Sequence, residues 1–264
     1  MNEYCRYVFV SLSFFIALTV LYLMRIAYPC EKRGVMSPNP QTPSQIKSRK
    51  RVTDHGEVFT PDWLVNDMLN LVAHEAERID SRFLEPACGE GAFLAPILLR
   101  KLASVRRQYG SSPADYEFRA VLALMSIYGV ELLADNVRAC REHLLILWLA
   151  EYEQRLKCPP SAECQKTVRF VLERNILNGN ALSMNQVDDA AQDTQDPIIF
   201  SEWSAVGGAL IKRRDFRQDE LLRDQNARTS LEQAKGELPL EYVPKYPVRE
   251  FPPMDYRKLP EAES

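Results

Sequence analysis

The sequence is poor in the side chains that bind metals, and no motif groups them. Its 264 residues include three histidines and six cysteines. There is no CxxC pair and no pair of histidines with ligand spacing, so the sequence predicts no metal site. The cysteines also form no disulfide framework, which indicates reduced thiols and a cytoplasmic protein. His55, His74 and His143 are isolated, and none is predicted to be catalytic.

The sequence also lacks a strong charge of either sign. It has 33 basic and 36 acidic residues, a net charge of −3. This argues against a wholly basic nucleic-acid coat but leaves room for a local basic patch. The fractions of charged residues, 26%, and hydrophobic residues, 46%, exclude global disorder and collagen-like or low-complexity classes. The length suits one large domain, or one domain with appendages.

One long apolar segment interrupts this even composition. Residues 7–24 contain no charged side chain, and a helix of that length spans about 27 Å, close to the roughly 30 Å of a bilayer core. Lys32 and Arg33 follow it, a bias that would leave the main body in the cytoplasm. Three interpretations of a hydrophobic helix in residues 1–35 stay open. It is a single-pass inner-membrane anchor, a core helix, or an extension from a mis-assigned start, with Met36 as the alternative start.

The remaining chain divides into three regions. Residues 36–54 are rich in proline and polar residues and are predicted to be a linker. Residues 55–216 alternate between helical and strand patterns, which indicates an α/β domain with a mostly parallel sheet. Residues 217–264 are predicted to be an extended or disordered C-terminal arm, because six of the seventeen prolines fall in the last 26 residues.

Several elements of the central region can be predicted individually. Thr60 is expected to cap a helix whose first residue is Pro61, and a strand is expected to end at Glu85. The other predicted elements are helices over Ala92–Val105, Glu117–Met125 and Asp135 to about Lys157, a strand over Ile127–Glu131, and short strands within Ile176–Leu182 and Ile198–Phe200.

The predicted strand that ends at Glu85 runs into a loop that contains Gly89 and Gly91. Glycine lets the backbone adopt unusual dihedral angles and approach a ligand closely. Open α/β sheets bind cofactors at the carboxyl ends of their strands, and this loop lies at such an end. The sequence therefore predicts a cofactor site at this loop.

Two motifs carry a resemblance to a known family. Residues 85–91 read Glu-Pro-Ala-Cys-Gly-Glu-Gly and resemble the S-adenosylmethionine loop of adenine-N6 DNA methyltransferases from restriction–modification systems. Residues 56–61 read Gly-Glu-Val-Phe-Thr-Pro and resemble that family's phenylalanine-threonine-proline element, which packs around the methionine part of the cofactor. The order and separation of the motifs are similar to those of the gamma-type enzymes. The resemblance is clearest over residues 52–145 and weaker to about 216.

The resemblance implies a truncated Rossmann-like core that binds S-adenosylmethionine and methylates DNA. The Glu131 carboxylate would accept hydrogen bonds from both ribose hydroxyls. The alternative interpretation is that Glu131 is a surface acid at the end of a strand. Asn180 stands where the family usually has an aspartate that contacts the adenine amino group, and it is alternatively a turn asparagine. The cofactor-binding residues implied by the resemblance are Phe59, Thr60, Pro61, Glu85, Pro86, Ala87, Gly89, Gly91, Glu131 and Asn180.

The chain departs from the family at the acceptor motif. The family holds the target amine with Asn/Asp-Pro-Pro-Tyr/Phe, and this sequence has no such tetrapeptide. At the expected place, Trp203 could stack on an extruded base and Glu202 could accept a proton, but a core role for Trp203 is the stronger interpretation. The catalytic residues are therefore unknown. Either a second methylase or restriction subunit supplies the acceptor motif, or the chain is a non-catalytic binding subunit or a decayed remnant.

A short basic run, Lys212 to Arg214, follows this region. It would either contact DNA phosphates or form a solvated turn.

Overall fold

The computed structural model describes residues 7–9, 60–220 and 246–263, and of residues 7–9 it describes only the backbone. Its α-helices are α1 (Asp62–Leu71), α2 (Ala73–Ala76), α3 (Leu94–Tyr109), α4 (Pro113–Met125), α5 (Ala134–Leu156) and α6 (Ala162–Asn175). Its strands are β1 (Tyr7–Phe9), β2 (Arg82–Glu85), β3 (Ile127–Glu131), β4 (Ile176–Asn180), β5 (Asn185–Val187), β6 (Asp193–Pro197), β7 (Ile199–Gly207), β8 (Leu210–Arg217), β9 (Arg249–Glu250) and β10 (Met254–Asp255). A 3-10 helix covers Tyr256–Glu263.

The main sheet of the described region has six strands in the order β1-β2-β3-β4-β5-β6. The first four are parallel, and β5 and β6 continue the sheet in antiparallel pairing. This confirms the predicted α/β class with a mostly parallel sheet and flanking helices. Because β2, β3 and β4 are parallel, their carboxyl ends share one edge of the sheet, called here the carboxyl edge, and their first residues share the opposite, amino edge.

Helices cover the parallel strands. The connection from β2 to β3 contains α3 and α4, and the connection from β3 to β4 contains α5 and α6; each of these helices contacts β3. Every residue of β2 and β3 is buried, which is the pattern of parallel strands covered on both faces. The core therefore lies between these strands and the helices, and the loops at the two edges are left for other contacts.

A second, smaller sheet packs beside the first. It is built on the antiparallel pair β7–β8, with β9 and β10 added to β8. Tyr128 of β3 donates its hydroxyl to the carbonyl of Ser201 at 3.0 Å. Trp203 Nε1 donates to the Oδ1 of Asn175, the last residue of α6, at 2.9 Å. These contacts bring β7 to the amino edge of the parallel strands.

The C-terminal segment differs from the arm predicted over residues 217–264. In its described part, residues 246–263, Tyr256 and Leu259 are buried. Thr167 Oγ1 of α6 donates to the carbonyl of Tyr256 at 2.9 Å. These residues are thus packed onto the domain, because the prolines that suggested an arm separate short stretches with apolar anchors. Residues 221–245 lie outside the described part of the chain.

The N-terminal prediction of a hydrophobic helix is wrong for Tyr7–Phe9. These residues form β1, which pairs in parallel with β2 and places Val8 opposite Phe83. Tyr, Val and Phe are all enriched in β-strands, so this tripeptide is as compatible with a strand as with a helix. Residues 1–6 and 10–59, and with them the predicted linker at 36–54, lie outside the described residues. Within the described ranges, no helix is both long and apolar enough to cross a membrane.

Candidate cofactor site

The glycine loop between β2 and α3 contains two residues with positive φ. Gly89 has φ +52° and Gly91 has φ +92°, a region that other residues rarely adopt. Among the described residues, a Cβ added at Gly89 would meet no atom within 4 Å, so the described part of the chain leaves this position open. A Cβ at Gly91 would lie 3.1 Å from Cys140 Sγ of α5. Gly89 therefore leaves room for a ligand, whereas Gly91 lets the loop approach α5.

Backbone hydrogen bonds hold the loop against β3. Cys88 N donates to the carbonyl of Val130 at 3.0 Å, and Gly91 N donates to the carbonyl of Cys88 at 2.8 Å. A Cβ at Gly129 would lie only 2.8 Å from Cys88 Sγ, so the glycine in β3 makes room for the cysteine. The loop thus has a defined position at the carboxyl edge.

Glu131 joins the end of β3 to this loop. Its Oε2 accepts a hydrogen bond from Gly89 N at 2.9 Å. Its Oε1 accepts from Leu133 N at 3.0 Å and from Asn136 Nδ2 at 3.4 Å. The structure therefore brings Glu131 and Gly89 together, although 42 residues separate them in the sequence. The intervening length is taken up by α3 and α4.

Glu85 is a buried carboxyl group at the start of the loop. It is only 3% exposed, and Ala87 N donates to its Oε1 at a long 3.4 Å. Burial raises the pKa of Glu85 to about 8 because the ionised form loses its hydration. At neutral pH the carboxyl group keeps its proton unless a cation lies nearby. Pro86 is partly buried and Ala87 is exposed.

Asn180 ends β4 at the same edge, and its side chain stabilises the following turn. Its Oδ1 accepts from Leu182 N at 3.0 Å, and its Nδ2 donates to Asp193 Oδ1 at 2.9 Å. An aspartate at this position would place its carboxylate against that of Asp193. The turn interpretation of Asn180 therefore accounts for the observed contacts, and an amide suits this position better than an acid would.

The upstream element is described only in part. Phe59 lies outside the described residues. Pro61 has φ −61° and ψ 143° and occupies the N-cap position, so the helix begins at Asp62, one residue later than predicted. Thr60 precedes Pro61 and is not the N-cap residue that the sequence predicted. Arg100 of α3 donates to Asn70 Oδ1 at 2.8 Å, which links α1 to the helix that follows the glycine loop.

Sequence reasoning missed a row of side chains on α5 that contact this site. Asn136, Cys140 and His143 are spaced so that they share one face of a helix. Asn136 contacts Glu131, Cys140 packs under the loop, and His143 Nδ1 lies 3.2 Å from the carbonyl of Glu90. The spacing of these three residues could have identified the row from the sequence, but only if α5 were already known to face the loop.

Cys88 and Cys140 are neighbouring thiols with a packing role. Both are buried and free. The hydrogen bond with Cys140, followed by burial, raises the pKa of Cys88 well above its ordinary value. Because the thiolate is the reactive form, this pair is poorly suited to thiol chemistry.

The residues considered for an acceptor site lie elsewhere. Glu202 is buried at the amino edge, where its Oε1 is 2.6 Å from Arg82 Nη1 and its Oε2 is 2.6 Å from Arg214 Nη2. Trp203 is 5% exposed and packs in the core. The interpretation of these two residues as a base-binding pair is therefore wrong, since they face the opposite edge from Gly89. The alternative, Trp203 as a core residue, is confirmed.

The basic run is part of β8 and is neither a turn nor a free cationic patch. Arg213 is 1% exposed, and its Nη2 lies 2.7 Å from Asp215 Oδ2. Lys212 pairs with Glu250. The basic side chains of β8 thus form ion pairs within the domain. Three adjacent basic residues in the sequence did not indicate these contacts.

Comparisons with protein-family models, with curated proteins and with solved structures found no match. In the parts of the chain that the structure describes, no group of three or more His, Cys, Asp or Glu side chains could hold a metal ion. The carboxyl edge nevertheless offers a carboxylate, a backbone loop with positive φ and open space beside it. Such an arrangement suits a ligand that brings hydroxyl donors and a compact polar group.

Proposed function

We propose that this chain binds S-adenosylmethionine at the carboxyl edge and acts as the cofactor-binding part of an adenine-N6 DNA methyltransferase of a restriction–modification system. The domain would then be a Rossmann-like methyltransferase core in the cytoplasm. The observation that supports this most strongly is the pairing of Glu131 with the Gly89 backbone beside open space. The choice of S-adenosylmethionine as the cofactor rests on the resemblance of the motifs at residues 56–61 and 85–91.

The residues at this edge fit the chemical groups of the cofactor. Glu131 would accept a hydrogen bond from one ribose hydroxyl, since a carboxylate has about four acceptor positions and the described residues fill three of them. Displacement of the long 3.4 Å contact from Asn136 would free a position for the second hydroxyl. Glu85 would face a cationic part, because a positive charge beside it lowers its raised pKa and restores the carboxylate. The other residues proposed to contact the cofactor are Phe59, Thr60, Pro61, Pro86, Ala87, Gly91 and Asn180. When bound, S-adenosylmethionine supplies an activated methyl group.

A second candidate is a non-catalytic cofactor-binding or partner-binding subunit. Two observations favour it. The sequence has no Asn/Asp-Pro-Pro-Tyr/Phe tetrapeptide, and Glu202 and Trp203 are enclosed at the amino edge. In this case a second methylase or restriction subunit would bring both the acceptor motif and most of the DNA contacts.

A methyl-transfer assay separates the two candidates. Labelled S-adenosylmethionine and adenine-containing duplex DNA are incubated with the chain alone, with the chain plus a polypeptide that carries Asn-Pro-Pro-Tyr, and with that polypeptide alone. Label in DNA from the chain alone identifies a complete enzyme. Label only from the pair identifies a cofactor-binding part, and it should disappear when the chain carries Gly89→Arg. No label in any reaction, together with cofactor binding, identifies the non-catalytic subunit.

A further inference from the structure

Asn178 of β4 makes two short contacts with the backbone at the end of β3. Its Nδ2 donates to the carbonyl of Glu131 at 2.9 Å and to the carbonyl of Leu132 at 2.9 Å. Glu131 and Asn178 are also register partners in the parallel ladder. One side-chain amide therefore holds two consecutive peptide groups just where the strand ends.

These peptide groups determine where the Glu131 carboxylate points. The residue after them, Leu133, donates its backbone N–H to Glu131 Oε1 at 3.0 Å. The other carboxylate oxygen receives the N–H of Gly89 at 2.9 Å. If the peptide after Glu131 turned, the Leu133 contact and the direction of the carboxylate would change together. An ordered acceptor thus depends on a side chain from the neighbouring strand.

We propose that Asn178 is a positioning residue for ribose recognition: it fixes the backbone of Glu131 and Leu132 so that the Glu131 carboxylate is preorganised for the hydroxyls of a ribose-containing ligand. This inference rests on the proposed function for the identity of the ligand. Asn178 itself would not contact the ligand. It would affect ligand affinity only by positioning Glu131.

The chain contains a matched control at the other edge of the same sheet. Asn175 Nδ2 donates to the carbonyls of Met125 at 3.3 Å and Ile127 at 2.9 Å. It therefore bridges the beginning of β3 as Asn178 bridges its end. Substitution of either residue removes two contacts to the backbone of β3. Asn175→Leu also removes the acceptor of the Trp203 Nε1 hydrogen bond, so it is the larger structural change of the two, but only Asn178 lies beside Glu131. A purely structural effect would appear in both variants, whereas a positioning effect would appear in one.

The experiment measures discrimination for the ribose hydroxyl rather than affinity alone. The full chain, Asn178→Leu and Asn175→Leu are titrated calorimetrically with S-adenosylhomocysteine and with its 2′-deoxy analogue. For the wild-type chain the 2′-hydroxyl is expected to improve affinity by about 10- to 100-fold, the usual effect of a hydrogen bond to a charged group. In Asn178→Leu this ratio should fall to about 3 or less, and in Asn175→Leu it should stay at the wild-type value. Asn178→Ala, which leaves room for water, provides the same test if the leucine variant does not fold.

A second readout needs no ligand. The Gly89 amide donates to Glu131, so its hydrogen exchange should be faster in Asn178→Leu and unchanged in Asn175→Leu. Equal ribose ratios in wild type and Asn178→Leu would overturn the inference while leaving cofactor binding intact. If the wild-type chain binds neither ligand, the proposed function and the ribose role both fail, and the exchange rates decide whether Asn178 positions Glu131 at all.

Discussion

The two edges of the parallel strands are built from different interactions. At the amino edge, the buried ions Arg82 and Glu202 pair directly, and Trp203 fills the space beside them. At the carboxyl edge, a glycine backbone meets one carboxylate, Gly89 to Glu131, and space is left open. The amino edge therefore contributes to stability, whereas the carboxyl edge is free to contribute to binding.

The chain topology explains this division. After β4 the chain leaves the parallel sheet through β5 and β6, and β7 then carries apolar and ionic side chains to the amino edge. No equivalent element in the described residues covers Gly89, whose missing Cβ would touch nothing within 4 Å. Lys101 adds to the packed edge, since its Nζ donates to the carbonyl of Ser81 at 2.5 Å, next to the start of β2.

The largest expected effect is the loss of stability when the amino edge loses a buried ion. Arg82→Met leaves Glu202 buried with one partner fewer, which should lower the free energy of unfolding by about 3–5 kcal/mol. Affinity for S-adenosylhomocysteine, measured under folding conditions, should change by less than about twofold because Arg82 and Gly89 lie at opposite edges of the sheet. Urea denaturation and titration calorimetry provide the two numbers.

Arg217→Met is the control for this variant. Arg217 pairs with Asp219 at 3.0 Å on the surface, and its removal should cost less than about 1 kcal/mol. Equal losses in the two variants would mean that burial at the amino edge does not decide stability.

The next effect in size separates binding from stability at the carboxyl edge. Gly89→Arg should weaken cofactor affinity by at least about 100-fold, roughly 2.8 kcal/mol, because the new side chain fills the ligand space. The positive φ should cost about 1–2 kcal/mol of stability. Gly208 has φ +53° and equally open surroundings, so Gly208→Arg should cost similar stability and leave affinity unchanged. A similar loss of affinity in both variants would contradict a site at Gly89.

A pH-dependent effect tests the buried acid of the loop. The folded-state pKa of Glu85 is raised to about 8 from an ordinary 4.5, so its protonated form is favoured by folding. Its contribution to stability is complete below pH 4.5 and is lost as the pH rises to about 8. Glu85→Gln, which cannot ionise, should remove this fall, a difference on the order of 4–5 kcal/mol across that range. Parallel unfolding profiles of wild type and variant from pH 4.5 to 8 would show that Glu85 ionises normally.

The smallest effect concerns Asn180 at the end of β4. Asn180→Asp sets a carboxylate against Asp193, whose Oδ1 is now 2.9 Å from the Asn180 amide nitrogen. The substitution should therefore destabilise the chain by less than about 1 kcal/mol, since the site is exposed. Asp193→Asn in the same chain should restore stability, as measured by thermal unfolding. Additive losses in the double variant would exclude a direct interaction.

Local patterns in the sequence predicted the framework of the site. The strands ending at Glu85 and Glu131 were predictable because each apolar run stops at an acid, and a glycine loop follows the first of them. Since adjacent parallel strands end at one edge, the meeting of Glu131 with the loop followed from the order of the elements. The helix over Pro113–Met125, which contains the predicted helix Glu117–Met125, takes up part of the long gap between them.

Contacts between distant segments were beyond the reach of these patterns. Asn178 has no local feature that distinguishes it from a turn residue, and its role appears only when β4 lies beside β3. From the sequence alone, Arg213 is expected to be exposed at the surface. Its hydrogen bonds to Asp215 and Ser201 allow it to be buried. Tyr256 lies in a proline-rich stretch, and only its contact with α6 shows that the stretch is packed.

Glycine resonances offer the most direct test of a cofactor site at the carboxyl edge. The chain has only ten glycines, so a sample labelled with ¹⁵N at glycine gives few amide signals, and the turn between β7 and β8 in the smaller sheet supplies control signals. On addition of S-adenosylhomocysteine, the signals of Gly89 and Gly91 should shift in proportion to ligand bound, whereas those of Gly207 and Gly208 in the β7–β8 turn should stay in place. No shift at Gly89 at saturating ligand, or shifts confined to Gly207 and Gly208, would contradict the account.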